Sequence, residues 1–312
     1  MIKTTLIIIS CLLFVFVTIY FINPGNIFAE NEITSTNITP LKPFPYSKTY
    51  VNTDIWHPNL DKNLKTNIDI NGKAGLVYNL TDNKTVFIKN PEYKGSIASI
   101  VKLMTAMVSI DQYGINKQIV ISKQASDIEE DSMNAEQGET YTVNDLLYGL
   151  LLPSGNDAAF ALAEQLEKGS YTKFVELMNY KAIEIGMKNT VFSNPSGLQE
   201  ENETQYTNLE DVLIMSQFVI KHYPLIRQIA ETKEYYIKKN VTHHEQTLYN
   251  QNFMLEYSNV LGLKTGYTPE AGLCLVTYSI VNGKEVIAIV LNSDNRKADI
   301  TYMLDYAMGM IE

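Results

Sequence analysis

The sequence predicts an α+β fold, a largely antiparallel sheet flanked by helices with a helical subdomain inserted between its strands. Three observations carry that prediction. Segments of high β-propensity stand before residue 90 and after residue 260, and helical periodicity fills the region between them. The last two β-like segments are joined by Asn282-Gly283, a two-residue hairpin turn.

Taken in order, residues 74–80 and 85–89 read as a hairpin around Thr81-Asp82-Asn83-Lys84. A helix over 99–113 follows Pro91; its Ile100, Val101, Leu103, Met104, Met107 and Ile110 are apolar nearly all round, as in a core helix. Residues 143–152 and 157–166 are two more helical runs, separated where Pro153-Ser154-Gly155-Asn156 stops the first. Over 171–185, Phe174, Leu177, Met178, Ala182 and Ile185 form one helical stripe. Strands are expected over 260–266, 273–281 and 286–292, and a closing helix over 299–310.

Upstream, residues 1–29 read as a signal peptide or N-terminal membrane anchor. Lys3 precedes an apolar run over 6–22, Asn23-Pro24-Gly25 breaks it, and Ile27-Phe28-Ala29 resembles a cleavage site. The run is long for a signal peptide and short for a spanning helix, so export is expected and cleavage is left open. Residues 30–72, rich in Asn, Thr, Pro and Lys, read as an extended linker. A single domain is expected over 73–312.

Composition excludes several functions. A formal net charge of −10 over 312 residues is a poor match to nucleic acid, which needs clustered Lys and Arg. Of the two cysteines, Cys11 lies in the apolar run and Cys274 in a Leu-Cys-Leu-Val stretch, where a buried strand residue is the plain reading. His243 and His244 are adjacent and point apart, which suits no metal, and no metal or other cofactor is expected.

Three short motifs carry the chemistry: Ser99-Ile100-Val101-Lys102, Ser154-Gly155-Asn156 and Lys264-Thr265-Gly266. Alone, Ser-x-x-Lys means little, and Ser170-Tyr171-Thr172-Lys173 is a second copy in which Ser170 follows Gly169 and caps a helix. Ser99 differs because it heads an apolar helix, where a backbone N–H and the helix dipole favour a developing oxyanion. Lys102, three residues on, shares its face. A lysine accepts a proton only when neutral, a state favoured by burial and by a second cation such as Lys264. Ser154-Gly155-Asn156 reads either as a capped turn or as a loop in which Ser154 relays a proton and Asn156 binds a substrate amide. Strand-borne Lys264 and Thr265 suit a substrate carboxylate, and Gly266 allows close approach.

With Leu147-Tyr148-Gly149-Leu150-Leu151, Asn194-Pro195-Ser196-Gly197-Leu198 and Gly262-Leu263-Lys264-Thr265-Gly266-Tyr267-Thr268, the chain resembles the low-molecular-mass penicillin-binding proteins, the serine D-alanyl-D-alanine carboxypeptidase family. The resemblance implies the fold of serine β-lactamases and penicillin-binding proteins. It also implies acylation of Ser99, Lys102 as base, Ser154 and Asn156 in a proton relay, and an oxyanion hole from the N–H groups of Ser99 and Tyr267. Lys264 and Thr265 would read the terminal carboxylate of a peptidoglycan stem peptide, and Arg296 resembles a family arginine that assists. β-Lactam antibiotics would inhibit covalently, outside the cytoplasm. Tyr267 stands where many relatives have His. Several relatives also carry a β-rich second domain and a C-terminal anchor that find no match before Glu312, so attachment to the cytoplasmic membrane would rest on the N-terminal segment.

Among rivals, a class A β-lactamase needs a water-positioning glutamate, and Glu176 falls mid-helix with the wrong spacing. A D,D-endopeptidase on the same scaffold is the stronger alternative. A silent penicillin-binding sensor would be expected to have lost one motif, and all three are present.

Overall fold

Alternation along the strands decides the layering. On β11 (Lys284–Ser293), Ile287, Ile289 and Leu291 point into one apolar cluster while Val286, Ala288 and Val290 point into another. Both faces of this strand are covered, so it runs through the middle of the protein. The structure is a computed structural model that describes residues 55–199 and 205–312. The expected leader at 1–29 and the linker as far as residue 54 lie outside the described residues.

The main sheet has five antiparallel strands in the order β2-β1-β11-β10-β9, where β1 is Ala74–Asn79, β2 Lys84–Lys89, β9 Val260–Thr268 and β10 Gly272–Val281. Two strands thus come from the beginning of the domain and three from its end, as the sequence predicts. The chain between them supplies short strands β3 (Lys94–Gly95), β4 (Gln118–Val120), β5 (Thr140–Thr142), β6 (Thr207–Asn208), β7 (Glu234–Ile237) and β8 (Gln246–Tyr249). It also supplies helices α1 (Lys102–Tyr113), α2 (Lys123–Ser126), α3 (Val143–Leu151), α4 (Asn156–Ala163), α5 (Thr172–Ile185), α6 (Leu209–His222) and α7 (Pro224–Glu231). α8 (Arg296–Met310) closes the domain.

α8 packs on one face of the sheet and α6 on the other. Behind α6, α1 is the central helix and touches α3, α4, α5, α6 and α7. Its burial follows from its sequence, since Leu103, Met104, Ala106, Met107 and Val108 leave no polar side to face water.

Three expectations need correction. Residues 55–72 are extended but do not hang free. Trp56 meets Tyr78 edge-on, the Asn59 N–H donates to the Tyr78 hydroxyl, and Ile70 is buried. Apolar residues spaced through this polar stretch (Trp56, Leu60, Leu64, Ile68, Ile70) have no period, yet each finds a place on the domain. The strand expected to stop at Gly266 continues to Thr268, which puts the Lys-Thr-Gly motif inside β9. The helix expected from Ser99 begins with a 3-10 turn, Ala98–Val101, before α1 proper.

The stretch just before β1 is fastened to α8 by Asp299, which is 3% exposed. Its carboxylate accepts from the N–H groups of Asn71 and Gly72 at 2.9 Å each and from the Ser293 hydroxyl at 2.5 Å. Asp299→Ala would leave several buried donors unpaired and is expected to cost roughly 2–4 kcal/mol. Asp299→Asn should recover part of that loss. Urea unfolding midpoints of the two variants against the parent check this.

Candidate active site

The three motifs, far apart in sequence, converge where α1, the α3–α4 loop and β9 meet. Ala98 takes a positive φ of 48° and is held between two glycines. A Cβ on Gly197 would lie 2.1 Å from the Ala98 carbonyl oxygen, and one on Gly266 would lie 2.7 Å from that of Ile97. Both imagined atoms also crowd the Ser99 nitrogen, at 2.9 and 3.2 Å. The backbone bearing Ser99 is therefore gripped between the loop at 194–198 and the edge strand, and only glycine permits either approach.

Lys102 has no solvent exposure and lies within hydrogen-bond distance of three oxygens. Its Nζ is 2.8 Å from Ser99 Oγ, 2.7 Å from Asn156 Oδ1 and 2.8 Å from the Ser196 carbonyl oxygen. Burial, with the Lys264 ammonium beside it, pushes its pKa well below the ordinary lysine value; Asp131, Asp157 and Glu130 oppose this. A neutral amine has two hydrogens and one lone pair. The amide oxygen of Asn156 and the carbonyl of Ser196 only accept, so they take the two hydrogens. The lone pair then points at the Ser99 hydroxyl, the orientation needed to remove its proton.

Each partner is held by its own surroundings. Asn194 Oδ1 accepts from the Ser196 and Gly197 N–H groups and from the Ser196 hydroxyl, and Thr105 on α1 donates to the Pro195 carbonyl at 2.6 Å. Asn156 opens α4 behind Ser154, a non-glycine residue at φ 67° whose buried Oγ has no hydrogen-bond partner. The carboxylate of Asp157 secures this turn by accepting from the N–H groups of Met133 and Ala135 and from the Ser132 hydroxyl.

β9 brings the third motif. Lys264 pairs in register with Val276, a residue of the core between sheet and helices, so it lies on the helical side with Lys102. Its side chain is 2% exposed, and burial lowers its pKa to about 7, with Asp131 opposing the fall and Arg296 adding to it. Thr265 is buried, and Tyr267 projects with 60% exposure. Arg296 starts α8 and donates from Nη1 to the carbonyls of Gly266 at 2.7 Å and Cys274 at 3.2 Å. It thus braces the edge strand from behind. A cavity of about 290 Å³ opens beside Asn156 and Ser196, walled by Ile128, Phe160, Tyr171 and Leu198.

Residues 61–295 match the D-alanyl-D-alanine carboxypeptidase family. The chain belongs to that family. It is 34% identical over 249 residues to the D-alanyl-D-alanine carboxypeptidase DacF of Bacillus subtilis, covering 77% of this chain and 63% of the relative. It is 31% identical to a D-alanyl-D-alanine endopeptidase of Escherichia coli, with 72% of each chain covered. Among solved structures, the Streptomyces K15 DD-transpeptidase superposes with a TM-score of 0.72 at 31% identity, over 78% of this chain and all of the other. Penicillin-binding protein D2 of Listeria monocytogenes, solved in its ampicillin-bound form, gives 0.67 at 26% identity, over 78% and 99%. As a D-alanyl-D-alanine carboxypeptidase family member, the chain has the fold its sequence predicts.

The structure joins Ser99, Lys102 and Asn156 by hydrogen bonds, with Ser154 in the turn before Asn156, Lys264 on the same side of the sheet and Gly266 against the Ser99 backbone; Thr265 pairs with Leu275, whose side chain belongs to the other face. The decoy Ser170 is elsewhere in role: its hydroxyl accepts from the Thr172 N–H at the start of α5, and Glu176 is exposed on that helix. Sequence reasoning assigned nothing to the Ser196 carbonyl, Asn194, Asp157, Asp131 or Gln251. Backbone acceptors leave no residue-type signal, although Asn194-Pro195-Ser196-Gly197 was visible as a motif.

Gly197→Ala tests the grip on Ser99. A methyl group there meets main chain and cannot be accommodated by a side-chain shift, and φ is 88°. The variant is expected to fold yet react with a labelled penicillin at least about tenfold more slowly, since small displacements of a nucleophile are costly. Stopped-time labelling measures it.

Proposed function

We infer that the protein is a serine D-alanyl-D-alanine carboxypeptidase that removes the terminal D-Ala from peptidoglycan stem pentapeptides through an acyl-enzyme on Ser99. The observation that carries this reading is Lys102: a buried amine whose two acceptors leave its lone pair facing Ser99.

In this reading Lys102 takes the Ser99 proton as Oγ attacks the penultimate D-Ala carbonyl. The oxyanion forms against the backbone N–H groups of Ser99 and Tyr267, a role indifferent to the side chain at 267 and compatible with its outward projection. The buried Ser154 hydroxyl makes no hydrogen bond within the protein, which supports its part as the relay that carries a proton to the leaving amine. Asn156 holds Lys102 in the relay through Oδ1, and its amide nitrogen has hydrogens with which to bind a substrate amide. Lys264 and Thr265 receive the terminal carboxylate. Arg296 contributes charge and holds Gly266 in place. Water then hydrolyses the acyl-enzyme. A β-lactam would be attacked by the same serine and held as a stable ester, in keeping with the family's penicillin-binding relative.

The substrate lies outside the cytoplasmic membrane, so the reading includes export by the N-terminal segment, 1–29, with residues 73–312 as the catalytic domain. Among the described residues, no helix is long and apolar enough to cross a membrane.

Labelled penicillin should attach to Ser99→Ala not at all and to Ser170→Ala normally; labelling retained in Ser99→Ala would remove the nucleophile assignment. A second test separates carboxypeptidase from endopeptidase. Amidating the terminal carboxylate of a D-Ala-D-Ala peptide is expected to lower kcat/KM at least about tenfold. The sign of the pH dependence follows from Lys264: its cation is present below its pKa of about 7 in the free enzyme and lost above it. kcat/KM for the acid substrate should therefore fall above about pH 7 relative to the amide, and Lys264→Ala should narrow the gap between them. Faster cleavage of cross-linked dimers than of pentapeptide would identify an endopeptidase instead.

A further inference from the structure

The loop before β5 reaches the second motif, and one of its residues is tied to it both directly and through a second side chain. The backbone carbonyl of Asp131 accepts from the Asn156 N–H at 2.8 Å. Its carboxylate accepts from Gln251 Nε2 at 3.0 Å, and the same Nε2 donates to the Pro153 carbonyl at 2.8 Å. Gln251 also donates its own N–H to the Leu152 carbonyl at 3.0 Å. Both ends of the Ser154-Gly155 turn are thus tied to one side-chain bridge, Asp131–Gln251, from a segment beyond β8.

The bridge also brings a negative charge to a site that holds three cations. Lys102 is influenced by the charges of Lys264, Asp131, Asp157 and Glu130, Lys264 by those of Asp131 and Arg296, and Arg296 by that of Asp131; burial keeps the Cys274 thiol protonated. Of these groups, Asp131 alone acts on all three cations. Asp157, by contrast, has its carboxylate committed to the N–H groups of residues 133, 135 and 158.

We propose that Asp131 is a positioning residue of this site: with Gln251 it holds the Ser154–Asn156 turn, and its charge balances Lys102, Lys264 and Arg296. The proposal rests on the acyl-enzyme reading above. Its two parts separate cleanly. An asparagine at 131 keeps an oxygen for Gln251 and loses only charge, whereas Gln251→Ala keeps the charge and loses the bridge. Both positions are exposed, so neither change opens a core.

The readout is the second-order rate of acylation by a fluorescent penicillin across pH, at low salt, with the peptide reaction measured in parallel. Removing the anion disfavours the protonated form of both lysines. Asp131→Asn should move the rising limb, set by Lys102, and the falling limb of the peptide profile, set by Lys264, in the same direction, to lower pH. A shift of about half a pH unit is expected, shrinking in high salt because the carboxylate is exposed. Gln251→Ala should lower the maximum several-fold and leave both limbs where they are. Superimposable profiles for Asp131→Asn and the parent, or limbs moved by Gln251→Ala as far as by Asp131→Asn, would overturn the proposal. A parent that penicillin does not acylate would overturn the reading beneath it instead.

Discussion

An amine removed from water must either find acceptors for every proton it carries or give one up. Lys102 sits where two acceptors and one hydroxyl surround it, and much of the helical half is arranged to keep them there. α1 carries the lysine into a place with no solvent exposure. The α3–α4 loop contributes Asn156, and the 194–198 loop contributes a carbonyl pinned by Asn194 and Thr105. Moving any of these three elements would leave a buried amine with an unmet hydrogen bond, at a cost of the order of 1–3 kcal/mol. Lys102, the proposed base, is thus also the point where the packing of separate elements is brought into register.

Around it the backbone is held in conformations a free chain avoids. Ala98 and Ser154 both adopt positive φ without being glycine; the first adjoins Ser99 and the second is the proposed relay. Such conformations persist only where neighbours over-determine them. Gly197 and Gly266 crowd Ala98 from two sides, and Asp157, Asp131 and Gln251 bind the chain around Ser154. The rigidity suits the proposed chemistry, because Ser99 and the unpartnered Ser154 hydroxyl keep their places with no substrate to hold them.

Much of this was legible in the sequence, for identifiable reasons. Strands β1, β2, β10 and β11 carry strong β-propensity with turn residues between them, and α1 is apolar nearly all round. α6 and α7 were not read, although Asn208 caps the first and Pro224 opens the second. The β7–β8 hairpin has a wide turn at 238–245 in place of a two-residue signal, and its strands hold only four residues each. The side chains of the three motifs were visible because their chemistry demands particular residue types. What grips them was hidden, since a carbonyl at 196 can be offered by any residue and the partners at 131 and 251 are distant in sequence. Arg296 was legible as a residue of the site, but its bond to the Gly266 carbonyl depends on where α8 begins, one turn earlier than the apolar pattern indicates.

The order of strands has a consequence for how the molecule comes into being. β1 lies beside β11, so Ala74 aligns with Leu291, and every residue of the helical half is made between them. The leading hairpin has no lasting partner until the far strand exists, and contacts of such separation close slowly. A growing chain can form α1 and its neighbours early, but the platform on which β9 presents the third motif waits for the last part of synthesis. Lys102 can meet Ser99, Asn156 and Ser196 before β9 exists, but Lys264 joins them only when the sheet is finished.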